Sequence, residues 1–359
     1  MPLFMRRLVE GAFSLVELMV SVSVLTLIVM MVSQLVNSAT VTTINSTKLI
    51  DTDSQARLIF SRMAEDFAAM FNRPDLNYYF HSRSGGNDEL YFFSQVTGYV
   101  AEQDPAGTSD SSINTASLVG YRVNDTVAGS NRAELERLGR GLHWADIASQ
   151  NETSGAATSI VHLPLLIRDA FSKALADPYN NSSNPNPSLS KTAAPEWDVI
   201  GDQVFRMAFC FLLKDGTFSL TPVSGTGVTI ESRSPGSADD VSTGLSVDSR
   251  WYDSSAQVAY RCVNAATGAA QWRPLGLQDV KAVVVTIALL DSKSRVTTNL
   301  NAIKNAVSYL PDFATSGTVP VSAAWVQKTN DAKTLAGNTG LSPSAASSVH
   351  VYERFFYLN

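Results

Sequence analysis

Gly11-Ala12-Phe13-Ser14-Leu15-Val16-Glu17-Leu18-Met19-Val20 is the stretch that decides how this chain reads. It sets a phenylalanine, and four residues later a carboxylate, at the head of a long apolar run. After Glu17 no charged residue follows until Lys48. A membrane-crossing helix needs roughly 20 apolar residues. Residues 18–36 meet that need, with Ser21, Ser23, Thr26, Ser33 and Gln34 as polar interruptions. A charge at the centre of such a helix costs about 2.5–3.5 kcal/mol on insertion scales. Glu17, near its start, therefore calls for a partner.

An ordinary secretory signal carries its small-residue cleavage site after a short apolar core. Here the small pair Gly11-Ala12 comes before the apolar run, and the run is longer. Arg6 and Arg7 suit a plain signal anchor oriented by the positive-inside rule. That reading leaves Glu17 and the Gly-Ala-Phe junction unexplained.

The segment closely resembles the class III signal of type IV pilins and type II secretion pseudopilins. In that family a short basic leader ends at a small residue. Phe follows, then a hydrophobic helix with Glu four residues after the new N-terminus. On that pattern residues 1–12 are the leader, Phe13 is the first mature residue and Glu17 takes the glutamate position. The family's usual glycine before the cut is Ala12 here, with Gly11 one residue earlier. Cutting after Gly11 instead would move Glu17 one place out of register.

The resemblance implies a prepilin peptidase that cleaves between Ala12 and Phe13 on the cytoplasmic side and methylates the Phe13 amine. It also implies that Glu17 pairs with the N-terminal amine of a neighbouring subunit and so sets assembly register. That would be a buried charge kept for specificity rather than for net stability. The bland alternative is a glutamate that snorkels to the cytoplasmic interface.

The helix is expected to continue past the membrane. Ala56, Ile59 or Phe60, Met63, Phe67 and Met70 recur at spacings of three and four, one apolar face of an amphipathic helix. No Pro or Gly interrupts residues 13–73, and Pro74 disfavours helix at the residue before it. The expected organisation is a leader over 1–12, a transmembrane segment over 13–36, an amphipathic continuation over 37–73, and a β-rich head over 74–359. The proline that major pilins often carry in this helix is replaced by Gln34, which counts against a major pilin.

The head reads as strands over 89–96, 118–123, 204–213, 257–263, 280–290 and 349–358. In 204–213, Phe205, Met207, Phe209, Phe211 and Leu213 face one way, and Lys214-Asp215-Gly216 turns into a hairpin with 217–220. The near-continuous apolar run 280–290 belongs in a central strand covered on both faces. Residues 134–144 fit helix or strand equally, while 163–176 and 299–310 read as helices. Four polar stretches, 101–116, 177–195, 224–250 and 311–348, read as long surface loops without a core of their own. The fold class is therefore α+β, a long N-terminal helix packed on a β-rich, pilin-like head with long loops.

That layout looks like the larger minor pseudopilins, the J-type of type II secretion and the W-type minor pilins. A narrower resemblance links residues 57–67 and the ending Tyr352-Glu353-Arg354-Phe355-Phe356-Tyr357-Leu358-Asn359 to the C-type Verru_Chthon cassette proteins of Verrucomicrobia.

A net charge of −6 with no basic stripe argues against nucleic acid as a partner. Cys210 and Cys262 are candidates for a disulfide in a head outside the cytoplasm, although Cys210 in its apolar strand also suits a free, packed thiol. Asp239-Asp240 offers paired carboxylates for calcium, with a solvated loop as the simpler reading. Trp251-Tyr252, Tyr78-Tyr79-Phe80 and Trp144 offer aromatic surface, which more often serves as core. No GxSxG, HExxH, P-loop or GxGxxG element occurs. His81, His143, His162 and His350 show no metal-like spacing.

The expected function is thus structural and non-enzymatic, with no cofactor or metal. The resemblance implies a minor pilin or pseudopilin, assembled through its N-terminal helix near the tip of a type II secretion pseudopilus or type IV pilus-like fibre. Its partners would be the prepilin peptidase, other pilin or pseudopilin subunits, inner-membrane lipid and secreted cargo. It would cross the inner membrane once, N-terminus in the cytoplasm and head in the periplasm. The alternative is a membrane-tethered periplasmic binding module that does not polymerise.

Overall fold

A computed structural model describes residues 14–74, 78–98, 116–124, 133–141, 197–225, 227–255, 257–314 and 316–358. The expected helix over 163–176, the stretch 177–195, Trp144, His143 and His162 lie outside the described residues. So does 101–116 apart from Ala116.

Helix α1 spans Leu15–Ala68, and the chain divides into two compact units, Met1–Ile50 and Asp51–Asn359. In the first unit the helix is apolar and exposed: Leu18, Val24, Leu27, Val32 and Leu35 each present more than half their surface. It is long and apolar enough to cross a membrane. Its hydroxyls do not oppose an apolar surrounding. Ser23, Thr26, Thr40, Thr42, Thr43 and Thr47 each donate to the carbonyl four residues back, at 2.8–2.9 Å. Each thereby satisfies its own donor within the helix, as lipid requires.

The second unit holds residues 51–68 of α1 against a β-rich body. Ala56, Ile59, Phe60, Met63 and Phe67 are buried at the expected helical spacing. Met70, expected on the same face, lies beyond the helix end. The helix stops at Ala68 rather than near Arg73, because the chain turns into sheet pairing before Pro74 can act. Met70 bridges Ser94, the Phe71 N–H donates to Phe93 O at 3.0 Å, and the Gln95 N–H donates to Ala69 O at 2.9 Å.

Three sheets follow. The first is an antiparallel meander of β1 Tyr79–His81, β2 Glu89–Ser94, β3 Ser117–Asn124, β4 Glu134–Gly141 and β5 Trp197–Gly201, in chain order. Residues 134–141 thus settle as strand, paired over their full length with β3. Leu138 pairs with Trp197, so β4 and β5 are neighbours although residues 142–196 lie between them.

The second sheet, ordered β13-β7-β6-β12-β14, contains β6 Val204–Leu213, β7 Phe218–Ser219, β12 Val280–Leu289, β13 Ser316–Gly317 and β14 His350–Tyr357. The apolar run 280–290 is central, as expected, between β6 and β14. Both faces of β6 are covered. Phe209 and Phe211 meet Phe80 at 5.6 Å, while Arg206 on the other face lies over the Trp325 ring at 5.5 Å. Phe356 of β14 stacks on Phe67 of α1 at 4.6 Å, which places this sheet against the helix.

The third sheet, β11-β10-β9-β8, comprises β8 Thr229–Glu231, β9 Arg250–Asp253, β10 Val258–Asn264 and β11 Gln271–Pro274. It has its own small core of Val223, Tyr252, Ala259 and Leu275. Strand β8 and the capped turn at Val241–Thr243 put structure into the stretch 224–250 that had read as loop.

The stretch 311–348 departs further from its expected loop character. After α2 Ser292–Thr297 and α3 Leu300–Tyr309 it forms α4 Val321–Thr329, α5 Ala332–Thr339 and α6 Pro343–Ala346. Ala, Ser, Thr and Asn make these short helices look loop-like by composition. Their caps mark them: Asp331 accepts from Lys333 and Thr334, Ser342 precedes Pro343, and Gly340 closes α5 with φ of 77°. Trp325, Leu335, Leu341 and Ala345 bury beneath them.

Candidate functional site

The start of α1 is a reciprocal cap. The Ser14 N–H donates to Glu17 Oε2 at 3.1 Å, and the Glu17 N–H donates to Ser14 Oγ at 3.2 Å. This is the Ser-x-x-Glu capping box, which satisfies two of the donors that a helix start leaves open. The signal stood in the sequence as Ser14 and Glu17 three residues apart, and reading Glu17 only as an odd charge missed it. Oε1 of Glu17 has no partner among the described residues. The carboxylate can therefore keep its cap and still accept a second donor. Ala12 and Phe13, the expected cleavage pair, lie outside the described residues.

Within the second unit, residues 51–68 of α1 are locked in place by polar groups that periodicity did not single out. Asp66, fully buried, receives a forked pair of hydrogen bonds from Arg137 of β4, Nε at 2.6 Å and Nη2 at 2.8 Å. The Tyr121 hydroxyl of β3 donates to the same carboxylate. Burial raises the Tyr121 phenol well above its ordinary value, and the Asp66 charge adds to that. Burial works to lower the Arg137 guanidinium, but its hydrogen bonds to Asp66 prevail and raise it. The Ser94 hydroxyl donates to Asp66 O at 2.8 Å. At the other end, Asp51 accepts from Gln203 Nε2 at 3.0 Å and from the Ser292 N–H at 3.3 Å, and the Tyr352 hydroxyl donates to Thr52 Oγ1 at 3.1 Å. Six separated segments thus grip four turns of one helix.

Loop contacts fix the exit from that helix. Gly276 has φ of 60°, and a Cβ there would sit 2.9 Å from Pro74 Cα. Only glycine suits both the backbone conformation and that close approach.

The remaining sequence candidates take ordinary roles. Cys210 on β6 and Cys262 on β10 are both buried and both free, so no disulfide joins them. They belong to different sheets, and the Cys262 thiol donates instead to Asn264 O at 3.2 Å. Burial pushes the Cys210 thiol up to about 12. Asp239 and Asp240 are taken up by protein donors. Asp239 is held by Arg233 at 2.7 and 2.8 Å and by the Gly236 N–H at 2.7 Å, whereas Asp240 accepts from the Ser242 N–H and hydroxyl at 2.8 and 2.6 Å and from the Gly268 N–H at 2.5 Å. Each of the four carboxylate oxygens there thus has a donor among the described residues. No group of three or more His, Cys, Asp or Glu suited to a metal occurs among the described residues. Trp251 and Tyr252 are buried, the indole donating to Arg233 O at 2.9 Å, and Phe80 is core.

No protein-family model, curated protein or solved structure matches the chain.

Proposed function

We propose that this chain is a structural subunit of a pilus-like fibre, a minor pilin or pseudopilin. A prepilin peptidase would process it between Ala12 and Phe13, and it would assemble through the apolar part of α1. The observation that carries the reading is Glu17. A carboxylate with one oxygen unpartnered among the described residues stands at the head of an exposed, membrane-length stretch of α1 that carries no other charge until Lys48. A neighbouring chain's N-terminal amine is the cation that would complete it. The self-satisfied hydroxyls along the helix support apolar surroundings for that segment. The buried grip on residues 51–68 supports a head that holds that part of α1 within its own core. In this reading the helix lies in the inner membrane with its start on the cytoplasmic side, and the head is periplasmic.

The test is peptide mass mapping of the mature N-terminus from native membranes. N-methylated Phe13 is the expected result. An intact Met1 would overturn the assembly reading in favour of a tethered periplasmic module.

A further inference from the structure

Strand β14 is an open edge. The Leu358 N–H donates to Lys281 O at 3.1 Å, and in the register that pairs Phe356 with Val283 and Arg354 with Val285, the even-numbered residues bond to β12. The N–H and C=O of Val351, Glu353, Phe355 and Tyr357 therefore point away from β12, and among the described residues none of them meets a backbone or side-chain partner. Other edges are short or covered. Strand β13 has two residues. Asn87 and Asp88 line the free flank of β6, accepting from the Met207 N–H at 2.8 Å and the Phe209 N–H at 2.9 Å. Among the described residues nothing comparable shields the outer edge of β14. It runs eight residues without Pro, Gly or a register shift, and Glu353 and Arg354 are the charges it carries.

We infer that β14 is a docking strand that takes an extended segment of a different protein chain by β-strand addition. Outward donors and acceptors alternating at two-residue spacing are complementary only to another extended backbone. A second copy of this chain fits poorly. Two copies paired about a two-fold axis must set residues of the same face opposite each other, so their numbers sum to an even value. The two registers of greatest overlap then oppose Glu353 to Glu353 or Arg354 to Arg354, and like charges directly opposite destabilise. The partner that fits carries a basic residue opposite Glu353, an acidic one opposite Arg354, and aromatic or β-branched residues around them. This inference does not depend on the fibre reading.

The probe is a synthetic eight-residue peptide of alternating threonine and valine, with lysine and glutamate set opposite Glu353 and Arg354. It is added to the detergent-solubilised full chain, and amide hydrogen exchange is followed. In the free chain the amides of Val351, Glu353, Phe355 and Tyr357 should exchange fast and those of Tyr352, Arg354 and Phe356 slowly. Peptide should protect the first set. Exchanging its lysine and glutamate should weaken binding about tenfold, as two cross-strand pairs turn from attractive to repulsive. The double variant E353K/R354E should prefer the exchanged peptide. Phe355→Pro, which removes an outward donor and spares the β12 ladder, should abolish binding. No protection at saturating peptide would overturn the inference. So would protection in the free chain that grows with its own concentration, which would point to a second copy.

Discussion

Ser14 and Glu17 close on one another through two hydrogen bonds of 3.1 and 3.2 Å, so the glutamate at the head of the apolar helix is already a cap before any neighbour arrives. The cap uses Oε2, and the proposed assembly role would use Oε1, so mutation can separate the two. Ser14→Ala should cost about 1 kcal/mol of helix-start stability and leave fibre incorporation near wild type. Glu17→Ala should lose the cap as well as incorporation, with membrane insertion intact. Immunoblots of sheared fibre and membrane fractions read both. Equal incorporation of the two variants would mean that Glu17 is a cap and nothing more.

The Asp66–Arg137 pair should be the most sensitive point of the head. Asp66→Ala leaves a buried guanidinium unpaired, a change that typically costs about 3–5 kcal/mol. Tyr121→Phe removes one hydrogen bond to the carboxylate and should cost about 1.5–3 kcal/mol. Urea unfolding of the two variants should rank them in that order, and a reversed order would refute the central place given to Asp66.

Asp88 gives the head a defined pH response. Burial raises its carboxyl from 3.8 to about 6, against hydrogen bonds from the Phe209 and Arg83 N–H groups and the Arg206 charge that pull it down. The folded state therefore binds this proton more tightly than the unfolded state does. The contribution to stability is greatest below about pH 4, declines as pH rises from about 4 to 6, and is absent above that. Unfolding free energies of wild type minus Asp88→Asn should fall across that window by about 3 kcal/mol at most. A flat difference would show that Asp88 titrates normally.

The two cysteines should behave as inert core. Their thiols are buried and raised, so little thiolate forms near neutrality. Iodoacetamide should label both in urea and neither in native buffer over the same time, and reductant should leave Tm unchanged. A fall in Tm on reduction would require a disulfide that the fold does not contain.

Long, regular elements were legible because their patterns match their burial. The spacing of Ile59, Met63 and Phe67 placed the packed face of α1, and residues 204–213 were delimited as β6 on alternation alone. Elements that bury little per residue were not legible. Helices α4 to α6 hide in Ser/Ala/Asn composition, and only their caps betray them. Pro74 looked like the natural helix stop, but a tertiary contact at Met70 and Ser94 acts sooner. At the candidate site, the charge on Glu17 was visible and its capping partner was overlooked. Asp66 looked like one more polar residue on an exposed face. Its burial depends on Arg137 and Tyr121, which lie 71 and 55 positions away, beyond any local pattern.

The register that sets Leu138 beside Trp197 has a practical consequence. Gly141, where β4 ends, and Trp197, where β5 begins, lie on adjacent strands, and the entropy of closing a span between two such ends grows only with the logarithm of its length. Doubling it costs about 0.6 kcal/mol. An epitope or fluorescent tag placed in that span would mark the head in situ while both termini, the helix cap and the β14 edge keep their native sequence.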